Sequence, residues 1–371
     1  MKTSFKIDAV FLCAVIILTL MGTLAVYTAG YHFAEVRYGD PLYFIKRQCI
    51  WVLLGICSAV AGFKLKTDII KRASPFVYII TLLMLVLTLL IGFTGNGAQR
   101  WISIGPITVQ PSEIAKLAIP MMLAFYYDAH KEKCILSDSK KTRFIYGNLI
   151  PLLIMTVPIL LVMLQKHLSC IIILGMLSLS IIVISGAELR YIGVASVLGA
   201  LGVSYLALFT DYTKDRITVW LNPEAYKLTG GWQTLQGLMA IGSGGLFGKG
   251  WGKGELKLCY VSEPANDMIF SIICEELGLA GAIAVLLTFA LLIYRGFRIA
   301  KGCEDCYLRL LCYGIITKIA IQLLLNVAVV TNTIPNTGIS LPFFSYGGSS
   351  LIMILLEMGI MLSISKKECR I

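Results

Sequence analysis

DMIFSIICEELGLAG, residues 267–281, opens an apolar run that continues to Leu292 behind one aspartate, with only Glu275 and Glu276 charged inside it. A helix crosses about 30 Å of hydrocarbon with roughly 17 to 25 apolar residues, so this stretch reads as a membrane span. It has company. Similar runs begin near Ile7, Cys49, Pro75, Ser112, Gly147, Leu168, Leu189, Leu308 and Ser340, and the count is ten. With 57% hydrophobic and 14% charged residues and a mean hydropathy of +0.82, the 371-residue chain is too apolar for a soluble protein. The expected fold is all-α and polytopic, with one membrane domain over residues 1–371.

Orientation follows from the short loops. Lys64, Lys66, Lys71, Arg72, Lys131, Lys133, Lys140, Lys141, Arg143, Arg190, Arg295, Arg298, Lys301 and Arg309 fall on one side, together with the basic residues of both ends. The other side's short connections hold only Arg37, Lys46, Arg47, Arg100 and Lys166. The positive-inside rule therefore assigns both termini to the cytoplasm and the long connection from about 210 to 266, between spans seven and eight, to the outside. The net charge of +11 is mostly this signal, and no soluble basic face suggests nucleic acid. The first run is about twenty residues long with no clear small-x-small cleavage site, so it reads as an uncleaved span.

Polar residues concentrate on the outer side. The long connection carries WLNPEAY, GGWQ and GSGGLFGKGWGKG and is expected to cover the outer mouth of the bundle. A second polar segment, GNGAQRWISIGPITVQPSE at 95–113, ends on Pro111 and Glu113, residues suited to a helix start. A third, TNTIPNTGISLPFFSYGGSS at 331–350, is uncharged and rich in Pro, Gly and Ser. Such backbone can dip into a membrane only where protein or a wet cavity surrounds it.

Asp267 stands where the long connection enters the apolar helix. A carboxylate there serves chemistry or transport, or it caps the helix, a position that favours aspartate. Glu113 and Lys116 are three apart and share a helix face, where they can pair or serve a substrate. Lys318 and Glu357 lie about equally far from the last turn, so they should meet at similar depth as a structural pair. Glu275 and Glu276 are about 100° apart on their helix, which leaves one of them a structural role.

The glycine loop at 242–254 is not a phosphate-binding Walker loop, since neither Lys249 nor Lys253 has the required glycine before it or a hydroxyl after it. Its glycines turn the chain or bring backbone N–H groups to a phosphate. Eleven cysteines are present, but most lie in spans or cytoplasmic loops and Cys259 is alone deep in the outer loop, so no disulfide is expected. Cys303 and Cys306 lack the second ligand pair of a zinc site, and His32, His130 and His167 form no metal set.

Four ordered segments carry a resemblance to the SEDS family of bacterial wall-building membrane proteins, which includes RodA, FtsW and SpoVE. GNGAQRWISIGPITVQPSEIAK resembles that family's RWI…QPSE…K segment, and GGWQTLQGLMAIGSGGLFGKGWG resembles its YQ…AIGSGG-x-x-GKG loop. DMIFSIICEELGLAG resembles DFIF…EELG-x-x-G, and IPNTGISLPFFSYGGSS resembles P-x-TG-x-x-LPF-x-SYGGSS. The likeness covers essentially the whole chain.

It implies a peptidoglycan glycosyltransferase in the bacterial cytoplasmic membrane that polymerises lipid II at the outer face, beside a class B penicillin-binding protein. Asp267 would be the catalytic base, and Arg100, Glu113, Lys116 and Lys249 would bind substrate. No resident cofactor is implied, and a divalent cation at the departing diphosphate stays open. The alternatives are a lipid II flippase and a non-catalytic scaffold for the transpeptidase. Because Asp267, Arg100, Glu113 and the large loop gather at the outer mouth with no matching inner set, chemistry is favoured over passage. One departure bears on activity. Where the family shows QPD-x-G-T or EPD-x-G, this chain reads QKHLSC from Gln165 to Cys170, with His167 in the acidic position.

Overall fold

Asp8 shows how one polar group organises an apolar bundle. Its carboxylate caps the first helix by accepting from Phe11 N–H at 3.0 Å, and it also takes two bonds from Arg295 at 2.9 and 2.6 Å. The start of α1 is thereby tied to the far end of α11. The computed structural model describes residues 7–95, 98–105, 107–137, 139–209, 211–257 and 264–368. Cys259 lies outside them.

The helices are α1 (Ala9–Tyr38), α2 (Tyr43–Lys64), α3 (Thr67–Ile91), α4 (Pro111–Ala129), α5 (Lys140–Phe144), α6 (Ile150–Leu164), α7 (Leu168–Ile184), α8 (Leu189–Phe209), α9 (Asp211–Leu221), α10 (Gly231–Ser243), α11 (Ile269–Gly302), α12 (Cys306–Val330) and α13 (Gly348–Glu368). Among the described residues, seven stretches are long and apolar enough to cross a membrane: α1, α2, α3, the continuous 140–164 stretch ending in α6, α11, α12 and α13. The apolar part of α8 and all of α7 are shorter, and α4 carries Glu113, Lys116 and Asp128. This is a multi-pass membrane protein.

Two expected boundaries move. Pro75 lies inside α3 rather than at its head, and the last helix begins at Gly348 rather than near Ser340. The second shift has a local cause, since Pro342 cannot continue a ladder and Phe343 adopts φ 66°. Residues 340–347 are therefore irregular backbone, available to line a cavity. The polar segment after α3 forms a small antiparallel sheet of β1 (Phe93–Gly95), β2 (Ala98–Ile104) and β3 (Ile107–Val109), with Ile102 opposite Val109.

Close helix contact depends on small residues. A Cβ on Gly359 of α13 would fall 2.0 Å from the Ala59 carbonyl of α2, so only glycine permits this approach. At one end of the bundle Lys71 bridges Asp128 at 2.5 Å and Asp305 at 3.7 Å, joining α3, α4 and α12. Within the bundle the pair expected between Lys318 and Glu357 is present, both side chains almost wholly buried.

The long connection is largely helical, comprising α9, a short 3-10 turn at Pro223–Tyr226 and α10. Its glycine-rich remainder seals a break in α11. Gly278 has φ 66° and ψ −166°, which interrupts the helix and frees backbone groups on both sides. The freed carbonyls of Glu275 and Glu276 accept from Lys249 N–H and Gly250 N–H, each at 3.0 Å. Leu279 N–H and Ala280 N–H donate in turn to Gly245 and Leu246 carbonyls at 2.9 and 3.0 Å. The turn reading of the loop is the observed one, with two carbonyls and two N–H groups of the interrupted turn partnered by the loop's backbone.

Both acids beneath the loop are structural. Glu275 accepts from Lys249 Nζ at 3.0 Å and from the N–H groups of Glu255 and Leu256 at 2.8 and 3.2 Å, while Glu276 pairs with buried Lys257. The structural role expected of one of them extends to both, because the loop wraps both faces of the helix. Gly278→Ala is expected to lower the unfolding midpoint in detergent by at least about 2 °C. Its backbone region is nearly glycine-only, costing on the order of 1–3 kcal/mol otherwise, and its Cβ would fall 2.3 Å from Gly248 N. Gly193→Ala, where a Cβ meets nothing within 4 Å, should cause no such loss.

Candidate active site

Asp267 reaches its place because three successive carbonyls before α11 are fixed. The Ala265 carbonyl accepts from Tyr346 N–H at 2.8 Å, and that of Asn266 from Ser345 Oγ at 2.8 Å. The carbonyl of Asp267 accepts from Asn326 Nδ2 at 2.9 Å, and the same amide holds the Ile339 carbonyl at 2.7 Å. The last loop and α12 thus clamp the turn into α11. Its cap position is Met268, without a side-chain cap bond, so the helix-cap alternative for Asp267 does not describe this geometry. The half-buried carboxylate instead accepts from Gln233 Nε2 at 3.3 Å.

That carboxylate lines a cavity of about 650 Å³, together with Arg100, Glu113 and Lys116. The cavity lies opposite the Lys71 cluster, at the end that the loop charges assign to the outside. Pro111 begins α4, and Glu113 follows in its first turn, where a carboxylate complements the free N–H groups. Lys116 Nζ meets Glu113 Oε1 at 2.6 Å, with both residues buried at the cavity wall. Arg100, on β2, donates from Nη2 to the Lys166 carbonyl at 2.7 Å. Sheet and α6–α7 turn are therefore pinned to each other.

His167 lies in that turn and lines the same cavity. Its Nδ1 is 3.4 Å from Ser112 Oγ. Burial pushes the imidazole well below its ordinary value, and the charges of Arg100 and Lys116 act in the same direction. A neutral ring thus occupies the acidic position of the motif it replaces.

Lys249 is the exception among the expected substrate contacts. It is not among the residues lining the cavity, and its ammonium is engaged by Glu275 and Glu255, the former holding it above its usual value. The ion pairs that fasten the glycine loop account for it. Several cavity residues were not singled out from sequence: Arg47, Arg216, Gln233, Asn336, Gln322 and Tyr346. Gln233 and Asn336 lie in quoted segments, GGWQ and IPNTG, where no local signal marks either amide. Arg47 entered only as a topology charge. Among the described residues, no group of three or more His, Cys, Asp and Glu side chains is placed to hold a metal.

Among its described lining residues the polar cavity, at one end of a helical membrane bundle, carries four cations and two carboxylates, a set that complements an anionic, polar ligand. A family model described as a cell cycle protein and named for FtsW, RodA and SpoVE matches residues 8–370, and the chain belongs to that family. It is 36% identical to stage V sporulation protein E of Bacillus subtilis over 361 residues, covering 97% of each chain. With a probable peptidoglycan glycosyltransferase FtsW of Geobacter metallireducens it shares 33% over 370 residues, covering 99% of this chain and 96% of that one. The fold matches Thermus thermophilus rod shape determining protein RodA with a TM-score of 0.72 at 24% identity, covering 98% and 97% of the two chains. A chain of a peptidoglycan synthase complex matches with a TM-score of 0.79, also at 24% identity, over 97% of each.

The depressed His167 ionisation carries a sign. Its folded value lies below its unfolded one, so the unfolded chain takes up the proton first and stability falls as pH drops through about 6.5. Thermal unfolding between pH 8 and 5 should show the wild type losing up to about 1.4 kcal/mol per pH unit relative to His167→Asn.

Proposed function

We propose that this protein polymerises lipid II into β-1,4 glycan strands at the outer face of the bacterial cytoplasmic membrane. One observation carries the reading: the Asp267 carboxylate shares one 650 Å³ cavity with Arg47, Arg100, Lys116 and Arg216. That volume falls within the range of about 300–1,000 Å³ typical of ligand sites. The acceptor's 4-hydroxyl oxygen attacks the donor's anomeric carbon, and its proton passes to Asp267. The bond from that carbon to the diphosphate oxygen breaks, and its electron pair leaves on the diphosphate. The arginines and Lys116 offset the developing negative charge, with guanidinium forks suited to phosphate.

Glu113 holds Lys116 extended toward the cavity, and Lys249 supports the site from outside by fastening the glycine loop. A divalent cation belongs to this reading only as a companion of the diphosphate, and chelation during turnover tests it. The reading includes a class B penicillin-binding protein as partner. It is supported by the fold match to a synthase complex that coordinates polymerization and crosslinking.

Purified full-length protein with fluorescent lipid II and the candidate transpeptidase provides the test. Asp267→Asn should keep the unfolding midpoint and lose at least about 100-fold in glycan formation. Glycan chains at wild-type rate from Asp267→Asn would overturn the reading. Lys249→Met should lower stability through the freed Glu275 and leave KM for lipid II unchanged.

A further inference from the structure

A chain of amide hydrogen bonds ends on the Asp267 carboxylate, and its polarity is fixed by the backbone. Gly338, at φ 69°, donates its N–H to Asn336 Oδ1 at 3.0 Å. A backbone N–H can only donate, so this bond fixes which end of the Asn336 amide is oxygen. The Asn336 NH2 group must then point the other way, and Nδ2 donates to Gln233 Oε1 at 3.2 Å. With its oxygen so occupied, Gln233 turns its own NH2 group to Asp267 Oδ1 at 3.3 Å. Arg216 steadies the assembly by donating from Nη1 to the Asn336 carbonyl. Three elements remote in sequence, α9, α10 and the loop before α13, converge on one carboxylate.

We infer that Gln233 is a positioning residue for Asp267, held by Asn336 so that it always presents a donor to the carboxylate. This rests on Asp267 as the base of the proposed reaction. A donor at Oδ1 selects one carboxylate orientation and favours the ionised form, which is the form that accepts the hydroxyl proton. The arrangement also leaves Oδ2 on the other side, 3.8 Å from where a Cβ on Gly338 would lie, an ordinary contact distance. The charged and titratable groups facing Asp267 across the cavity come from other elements. They are Arg47 of α2, Arg100 of β2, Glu113 and Lys116 of α4, His167 before α7, Cys170 of α7, Arg216 of α9 and Tyr346 before α13. None of these is altered by changing the two amides.

The polarity argument yields an uncommon prediction for Asn336→Asp. A carboxylate at 336 still accepts from Gly338 N–H, but it offers Gln233 only oxygen. Gln233 then turns its NH2 group toward residue 336 and its oxygen toward Asp267, reversing the contact without touching it. The experiment records pH–rate profiles of lipid II polymerisation by full-length Gln233→Met, Gln233→Glu, Asn336→Asp and the Gln233→Met/Asn336→Asp double variant, each checked by thermal unfolding.

Gln233→Glu and Asn336→Asp should move the acid limb to higher pH by about one unit, a tenfold loss at its acidic end, with KM for lipid II unchanged. Adding Asn336→Asp to Gln233→Met should move the limb by clearly less than Asn336→Asp does alone, since the added charge still acts but no amide remains to flip. Limbs that stay in place in both single variants overturn the inference, as does a full Asn336→Asp shift in the Gln233→Met background. Undiminished polymerisation by Asp267→Asn, or a wild-type profile without an acid limb, removes the base reading itself. An intact wild-type limb with unmoved variant limbs removes only the relay. Should one of the two single variants unfold, the limb of the other, set against that of Gln233→Met, decides on the same terms.

Discussion

The bond set across the Gly278 break is the constraint on which the cavity depends. A helix interrupted in an apolar setting leaves carbonyls and N–H groups that water cannot reach, and each must find a partner within the protein. Here the partners come from the glycine loop, whose backbone supplies two donors and two acceptors to the broken turn. The charges of Glu275 and Glu276, balanced by Lys249 and Lys257, hold the loop against the helix. Together with the clamp that Tyr346, Ser345 and Asn326 place on the turn before α11, that seal holds the head of the helix and the aspartate before it.

The same economy recurs around the cavity. Asn326 spends one amide nitrogen on two carbonyls, from opposite sides of the site, and Ser345 both accepts from Leu341 N–H and donates to the Asn266 carbonyl. Irregular backbone survives at this depth because such side chains complete its hydrogen bonds. The cavity wall is therefore rigid and polar, whereas the outward helix faces are apolar, with Leu279, Ile283 and Leu287 exposed along α11.

His167 shows how one substitution changes the electrostatics of such a wall. An acid at this position would offset part of the charge of Arg100 and Lys116. A neutral imidazole does not, and it leaves the cavity more cationic. The geometry of the turn is kept by Arg100 on the Lys166 carbonyl and by Ser169 on the Thr337 carbonyl, neither of which depends on the ring.

Much of the architecture was legible in the chain itself. Apolar runs long enough for hydrocarbon dictate spans, and a lone aspartate beside one of them marks a site, because isolated charge near lipid is costly. The i, i+3 spacing of Glu113 and Lys116 placed them on one helix face with pairing and a substrate role both open, whereas equal depth predicted the meeting of Lys318 and Glu357. Other features were decided only by folding. Lys249 and Lys116 look alike in sequence, and only the wrapping of the glycine loop around Glu275 sends the first to a structural pair. Gln233 and Asn336 are 103 residues apart and carry no charge, so nothing local marks them. Their meeting at Asp267 is a property of three packed elements, and hydrogen-bond polarity exists only once those elements are in place.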